Sequence, residues 1–381
     1  MMQAAGRLYL ESESPMRVVH ILGELRRSGA EMMYRSAEEL WRSLDIQTEM
    51  IATGETPGEM AAELERSGVR IHHLPFSRTP GHVLKMARFL REQRYDVVHL
   101  NTERGSFWYG VAATATPGTR VLRTIHSVFA FRGALRVRRK LQRLVLRRLG
   151  VRSIAVSRSV QQMELERFGN PTELVSNWID HRRFHVATED ERKRARKLLG
   201  VPDEAFVVST VASCAAVKNH MSVIRALAAL RDEVPLIYLH AGREGCDGVE
   251  RALAEELKVS ERIRFLGLVE DVLPVLHASD AFAMPSFHEG CSIAAIEAMA
   301  AGIPSILSRV NGLRDFEDAL PGILWVDTTP DSIAEALRQL YATPHAERAE
   351  SGRRLSEAAH RHYGLGNGAQ RYAELYKGCC S

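Results

Sequence analysis

Two glutamates, Glu289 and Glu297, stand eight positions apart in a stretch, 285–304, whose pattern is typical of a strand, a loop, a helix and a second strand. The apolar run Ala281–Met284 predicts a buried strand just before it. One carboxylate then falls in the loop and the other inside the helix. Taken alone, such acids are better explained by a solvated loop and an exposed helix face, so the surrounding residues must decide.

The loop between the glutamates predicts a helix start that can bind an anion. Gly290 marks a tight turn, Ser292 is a candidate N-cap, and Cys291 and Ile293 flank it. The first N–H groups of a helix lack partners and carry the positive end of its dipole, an arrangement that suits a phosphate. A carboxylate before the turn can accept hydrogen bonds from sugar hydroxyls. A second one, further along the helix, can bind a ribose diol.

The composition is that of an ordinary soluble globular protein large enough for two domains. The chain has 381 residues, 45% of them hydrophobic and 26% charged. A formal net charge of +4 is too small to indicate nucleic acid. Five cysteines without framework spacing favour a reducing, cytoplasmic compartment. No apolar run reaches transmembrane length, and residues 1–15 are expected to form a disordered extension rather than a signal peptide.

Strands and helices alternate at short spacing along most of the chain. They do so from Arg17 to Ser157 and again from Phe206 to Asp327, which predicts an α/β protein with two doubly wound parallel sheets. The polar stretch Asp180–Arg196 is the predicted linker. Ligands of such sheets bind at the carboxyl ends of the strands.

Three loops at predicted strand ends carry further candidates. His126 follows a strand, where a structural role and a role in a cleft are both open. Lys218 and Asn219 precede a helix, a position where a lysine is unfavourable unless it has an anionic partner. Gly242 and Arg243 follow another strand and form a glycine turn with an adjacent cation.

The full string around the two glutamates resembles the Glu-x7-Glu signature of retaining family 4 glycosyltransferases, of the exopolysaccharide-biosynthesis type. It reads Pro-Ser-x-x-Glu-Gly-x5-Ile-Glu-Ala-Met-Ala-x-Gly-x-Pro. The resemblance covers nearly the whole chain from Met16 and implies the GT-B architecture, in which two Rossmann-like domains face each other across a cleft. It implies an acceptor-binding domain at 16–180, a nucleotide-sugar-binding domain at 181–365, and a final helix at 366–381 that crosses back to the first domain.

The resemblance also implies roles for individual residues. Glu289 would hold the transferred sugar near its reacting carbon, Glu297 the ribose, and His126 the sugar or leaving group from the opposite domain. Lys218, beside Asn219, would bind the donor diphosphate. These roles make Glu289, His126 and Lys218 the candidate catalytic residues.

Other segments match the family with departures. The segment Arg26-Arg-Ser-Gly-Ala-Glu31 is similar to its Gly-Gly-Ala-Glu loop, with Gly29 near the donor, and the backbone around Leu266 would meet the base. Ser213 stands where the family has an arginine, and a serine can hydrogen-bond a phosphate but cannot neutralise it. Arg243 and Arg309 are the candidate substitutes.

The expected reaction is transfer of a sugar, with retained configuration, from a nucleotide diphosphate sugar to a hydroxyl. A UDP-sugar is the favoured donor, and the acceptor is a glycan, a lipid-linked or a small molecule. No cofactor and no metal are expected, because no Asp-x-Asp pair is suitably placed. Two alternatives remain: a nucleotide-sugar epimerase on the same scaffold, and a non-catalytic nucleotide-sugar-binding protein.

The segment Arg132–Arg152 contains nine basic residues and no acid. Its periodicity predicts a helix with two faces, one of leucine and valine and one of arginine and lysine: Leu141, Leu144, Val145 and Leu149 against Arg136, Arg139, Lys140, Arg143 and Arg147. A solvated surface helix explains this. This is the preferred interpretation, and the sharper alternatives are attraction to an anionic membrane at its inner face or to an acidic acceptor. Nucleic acid is disfavoured because no aromatic residues are interleaved.

Overall fold

The structure is a computed structural model that describes residues 14–27, 29–245 and 247–378. Most of the expected N-terminal extension (residues 1–13) and Ser28 of the glycine loop lie outside the described residues. Within the part described, no helix is both long and apolar enough to cross a membrane.

The first sheet has seven parallel strands in the order β3-β2-β1-β4-β5-β6-β7. The strands are β1 (Met16–Leu22), β2 (Ile46–Ala52), β3 (Arg70–His73), β4 (Val97–Leu100), β5 (Arg120–Ile125), β6 (Arg152–Ala155) and β7 (Glu173–Leu174). The helices among them are α1 (Gly29–Ser43), α2 (Ala61–Arg66), α3 (Pro80–Gln93), α4 (Ser106–Thr114), α5 (Gly133–Arg148) and α6 (Arg158–Phe168).

The second sheet has six parallel strands in the order β10-β9-β8-β11-β12-β13. The strands are β8 (Phe206–Val211), β9 (Leu236–Ala241), β10 (Ile263–Gly267), β11 (Ala281–Met284), β12 (Ser305–Ser308) and β13 (Leu324–Val326). The remaining helices are α7 (Glu189–Leu198), α8 (His220–Ala229), α9 (Val249–Glu256), α10 (Leu273–His277), α11 (Ile293–Ala300), α12 (Pro330–Ala342), α13 (His345–Tyr363) and α14 (Leu365–Lys377). The prediction of two Rossmann-like, doubly wound α/β domains is confirmed.

Both faces of each sheet are covered, which explains why the strands are apolar throughout. In β1, Val18 and Leu22 join one core cluster while Val19 and Ile21 join another on the opposite face. The order of strands reverses beside β1 in the first sheet and beside β8 in the second. Loops on the two sides of such a reversal diverge and leave a crevice at the carboxyl ends of the strands.

The last helix, α14, packs against the first domain although it follows the second in sequence. The indole nitrogen of Trp41 on α1 donates to the Ala369 carbonyl at 2.9 Å. The hydroxyl of Tyr372 lies 2.7 Å from Oγ1 of Thr124, and that of Tyr376 lies 2.8 Å from Nδ1 of His99. Three polar contacts therefore tie α14 to the first domain, one to α1 and two to the sheet.

The predicted linker is wrong over its second half, where α7 begins at Glu189. Thr188 and Glu191 form a capping box: the Thr188 hydroxyl accepts from the Glu191 N–H, and the Glu191 carboxylate accepts from the Thr188 N–H. Arg192 and Arg196 on this helix bind Asp280. The missed signal was the Thr-x-x-Glu spacing before a charged but helix-forming segment.

The basic face of α5 matches the expectation of solvated side chains only in part, because Arg136, Lys140 and Arg147 are exposed while Arg143 is not. Arg143 is buried and makes a bidentate pair with the buried Glu164, at 2.7 and 2.8 Å. Arg139 and Arg143 also pair with Glu103. Apolar side chains instead face solvent: Leu135, Val137, Leu141, Val145 and Leu149.

Candidate active site

A cavity of about 590 Å³ lies between the two domains, at the carboxyl ends of both sheets. Its walls include most of the residues expected from the sequence: Gly29, His126, Ser213, Lys218, Gly242, Arg243, Glu289, Cys291, Ser292, Ile293 and Glu297. Three expected residues, Asn219, Leu266 and Gly290, do not line it. The fold thus brings loops from both domains to one cleft.

Glu289 and Lys218 form an ion pair in this cleft. The Lys218 ammonium donates to Oε1 of Glu289 at 2.7 Å, and the Ser286 hydroxyl donates to the same oxygen at 2.8 Å. Both side chains are mostly buried yet reach the cavity. Lys218 belongs to the loop after β8 and Glu289 to the loop after β11, two neighbouring strands. The Glu289 carboxylate and the Lys218 ammonium are therefore close enough for one bound sugar phosphate to contact both.

The N-terminus of α11 opens onto the same cavity. The Ser292 hydroxyl accepts from the Ala295 N–H at 3.3 Å, as expected of an N-cap. The Asn177 side chain of the first domain donates to the Cys291 carbonyl at 2.8 Å, which holds the loop across the cleft. The first amides of the helix have no intrahelical acceptor and can bind an anion.

Two glycines allow the domains to approach closely at this point. A Cβ on Gly290 would lie 1.9 Å from the His126 carbonyl oxygen, so no other residue fits there. A Cβ on Gly29, at the start of α1, would lie 2.9 Å from Cδ1 of Ile293. Gly290 therefore acts as a packing point between domains rather than as part of the cavity wall.

His126 is held as a neutral imidazole with a defined tautomer. Its Nε2 lies 3.2 Å from Oδ1 of Asn101, which also accepts from the Tyr34 hydroxyl at 2.6 Å. Because that oxygen can only accept, Nε2 carries the proton and Nδ1 keeps a lone pair. Burial lowers the pKa of His126 to about 4. The ring can accept a hydrogen bond from a hydroxyl at neutral pH.

Glu297 lies on α11 at the wall of the cleft, where desolvation raises its pKa to about 7. Asp271 adds to the rise, and Arg183 opposes it. Arg183 pairs with Asp271 at 2.5 Å and itself lines the cavity. The carboxyl group is therefore close to half-protonated at neutral pH.

The other two expected residues outside the cavity wall have structural surroundings. Asn219 has a left-handed backbone, and its side chain donates to the carbonyls of Pro285 and Thr328. It thereby fastens the loop that carries Lys218. Leu266 packs into an apolar cluster of the second domain, and the neighbouring Leu268 lines the cavity instead.

The cleft contains several cations besides Lys218. Ser213 is exposed at the cavity wall, and Arg243, across the same strand ends, also lines it. Arg243 lies 3.4 Å from Glu59 of the first domain. Arg309 does not line the cavity; it pairs with Glu317 at 2.8 Å. Of the two substitutes considered for the missing arginine, the geometry keeps only Arg243.

Sequence reasoning missed Arg26, Asn101, Asn177 and Arg183. Arg26, Asn177 and Arg183 line the cavity, and Asn101 orients His126. Asn101 follows the end of β4, so its place at a strand terminus was a usable signal. Arg26 lies in the loop after β1 and had the same signal, whereas the positions of Asn177 and Arg183 depend on how the domains meet.

Two family models match successive parts of the chain. "Glycosyltransferase Family 4" matches residues 27–183, and "Glycosyl transferases group 1" matches residues 191–362. The first match contains the loops of His126 and Gly29, and the second contains those of Lys218, Glu289 and Glu297.

Similar proteins agree with both matches. EpsF of Bacillus subtilis, which is named as a glycosyltransferase, is 26% identical over 90% of this chain and 90% of its own. The D-inositol 3-phosphate glycosyltransferase of Corynebacterium urealyticum is 31% identical over 54% of this chain, and the match spans only half of that protein (50%).

Among solved structures, Anabaena HepE in complex with UDP and glucose superimposes with a TM-score of 0.80. It shares 17% sequence identity over 95% of this chain and 100% of its own, a likeness that shows the fold. The two glycosyltransferase family models together span residues 27–362 and support a glycosyltransferase, while the likeness to HepE shows the shared two-domain fold.

Proposed function

We propose that the chain transfers a sugar from a nucleotide diphosphate sugar to an acceptor hydroxyl with retention of configuration. The observation that carries this is the convergence of Glu289, Lys218 and the α11 N-terminus in one cleft, with His126 facing them from the other domain. Charge on a leaving diphosphate must be stabilised where it develops. Lys218, Arg243 and the amides near Ser292 are placed for that task.

The proposed chemistry breaks the bond between the anomeric carbon and the leaving phosphate oxygen. The acceptor oxygen bonds to the same face of that carbon, and its proton passes to the leaving phosphate. Glu289 accepts hydrogen bonds from the transferred sugar, Glu297 from the ribose, and Nδ1 of His126 from a sugar hydroxyl. A UDP-sugar is the proposed donor, supported by the GT-B neighbour that binds UDP and glucose.

Polysaccharide assembly is the proposed setting of the reaction. EpsF, similar along nearly the whole chain, supports it. The test is incubation with UDP-sugars and a pool of glycan, lipid-linked and small-molecule acceptors. We expect acceptor-dependent release of UDP and a product with the anomeric configuration of the donor by NMR. An epimer or free monosaccharide without acceptor would favour the epimerase, and binding without turnover would favour the non-catalytic alternative.

Donor affinity should depend on pH through Glu297. Its pKa of about 7 means that binding a ribose diol as a carboxylate requires loss of a proton below that pH. Affinity should therefore rise with pH and be about tenfold weaker at pH 6 than at pH 8. Calorimetric titration with UDP-glucose measures this, because its diphosphate has no terminal phosphate that titrates in this pH range. The Glu297→Gln variant should bind weakly with a flat profile, and a wild-type profile in that variant would refute the role.

The exposed apolar stripe of α5 supports peripheral binding to an anionic membrane. Val137, Leu141 and Val145 face solvent. The ion pairs of α5 with described residues use Arg139 and Arg143, which leaves Arg138 and Lys140 for lipid headgroups.

Flotation with liposomes tests that surface. The protein should float with vesicles containing anionic lipid and remain behind with neutral ones. Leu141→Glu should abolish flotation, because it places a charge in the stripe. Leu198→Glu, at an exposed leucine on α7, is the matched control and should float normally. Equal binding to neutral vesicles, or no effect of Leu141→Glu, would contradict this surface.

A further inference from the structure

A cluster of side chains that bind soft metals lies behind the loop that carries Lys218. Cys214 comes from that loop, His220 is the first residue of α8, and His240 lies in β9. One donor atom of each lies within 4.8 Å of the other two. None of the three lines the cavity between the domains, so this cluster is separate from the candidate active site.

The geometry of the cluster is close to that of a metal site. Nε2 of His240 lies 3.5 Å from Sγ of Cys214, and the two imidazole rings meet edge to face with centroids 4.6 Å apart. Both histidines are buried. Imidazole nitrogens and a cysteine sulfur are donor atoms that Zn²⁺ prefers in proteins.

The ring of His220 is already oriented by its surroundings. Nε2 lies 3.0 Å from the Ser213 carbonyl, and Nδ1 lies 3.3 Å from the Tyr238 hydroxyl. Because a carbonyl oxygen only accepts, Nε2 carries the proton, and coordination of an ion through Nδ1 would leave the bond to Ser213 in place. Histidine ligands of metal ions commonly donate their second N–H to such an oxygen, which fixes the ring.

A buried carboxylate beside the cluster has no cationic partner among the described residues. Glu250, at the start of α9, is buried, and no described lysine or arginine pairs with it. It lies close enough to the Cys214 thiol for its negative charge to act on that group. The helix N-terminus offsets part of the carboxylate charge. A cation beside the thiol would offset the rest.

We propose that Cys214, His220 and His240 bind a structural Zn²⁺ ion, with Glu250 or a water molecule as the fourth ligand. A thiolate and two imidazoles suit this ion, which prefers four ligands in tetrahedral geometry. Binding forms the zinc–sulfur bond and releases the thiol proton to solvent. The ion joins the β8 loop to α8 and β9. Because Cys214 and His220 lie on either side of Lys218, it also fixes the loop that presents that lysine.

Metal analysis of the untagged full chain, purified without chelator, is the first test. We expect about one zinc ion per chain. Removing it with a chelator should lower Tm by several degrees, and added Zn²⁺ should restore Tm. The protein loaded with Co²⁺ should show a thiolate-to-cobalt absorption band. Zinc far below one per chain, with no Tm shift and no such band, would overturn the proposal even if every variant failed to fold.

Variants then locate the ion. Cys214→Ser should lose the cobalt band, and His240→Gln should weaken Zn²⁺ binding at least tenfold. His185→Gln is the matched control, since the rings of His185 and His277 meet edge to face at 5.1 Å as part of another histidine pair. That variant should keep the band. A thiolate band that persists in Cys214→Ser would place the ion elsewhere and refute the site.

Discussion

Glu289→Gln should lower kcat by about 10²- to 10³-fold while leaving the affinity for UDP within a few-fold of the wild type. The amide keeps the size and one acceptor oxygen of the side chain but removes its charge. In the proposed mechanism Glu289 contacts the transferred sugar, and Lys218 and Ser286 hold its Oε1. The charge should therefore matter most as positive charge develops on the anomeric carbon. Steady-state kinetics with the preferred donor, beside calorimetry with UDP, separates the two effects.

The control for charge in the cleft is Glu270→Gln. Glu270 lines the same cavity but is exposed. The Glu270→Gln substitution should reduce turnover by less than threefold, because a surface charge is screened by water and salt. Normal turnover in Glu289→Gln would remove Glu289 from the mechanism. Equal losses in both variants would indicate a general effect of cleft charge.

Lys218→Ala should lower kcat by about 10²-fold and weaken UDP binding by a smaller factor. Its ammonium is bound to Glu289 in the free protein and would be shared with the leaving phosphate, whose negative charge grows as the bond breaks. A contact that strengthens in the transition state affects turnover more than binding. Single-turnover rates and calorimetric titrations measure the two quantities. A loss confined to binding would refute the proposed role.

Two further variants sharpen this result. Lys193→Ala removes an exposed lysine of α7 and should behave as the wild type. The double variant Lys218→Ala/Glu289→Gln should have a kcat only slightly lower than that of the worse single variant, because the effects of residues that act as one unit are not additive. Fully multiplicative losses would mean that the pair acts independently.

Local patterns in the sequence predict most of the fold. The predicted strand Ala281–Met284 has the bounds of β11, because apolar runs between turn residues mark buried parallel strands. The alternation of strands and helices was enough for two doubly wound sheets. The polar composition of residues 180–196 wrongly predicted a linker, because a capping box at Thr188 begins a helix within that segment.

The site was predictable where a loop follows a strand and not where separate elements meet. Lys218 and Glu289 could each be identified, but the contact between them depends on the adjacency of β8 and β11. The inward face of α5 depends on Glu103 and Glu164, which lie elsewhere in the chain. Likewise, nothing at Cys214 indicates that His240 will lie beside it.

The position of α14 has a consequence for how the chain is made. Synthesis completes the strands of the first domain early, but the helix that covers their aromatic residues ends at Lys377. Until then, Trp41 and His99 lack the partners that Ala369 and Tyr376 provide. We therefore expect the first domain to complete its packing only after the last helix has been synthesised.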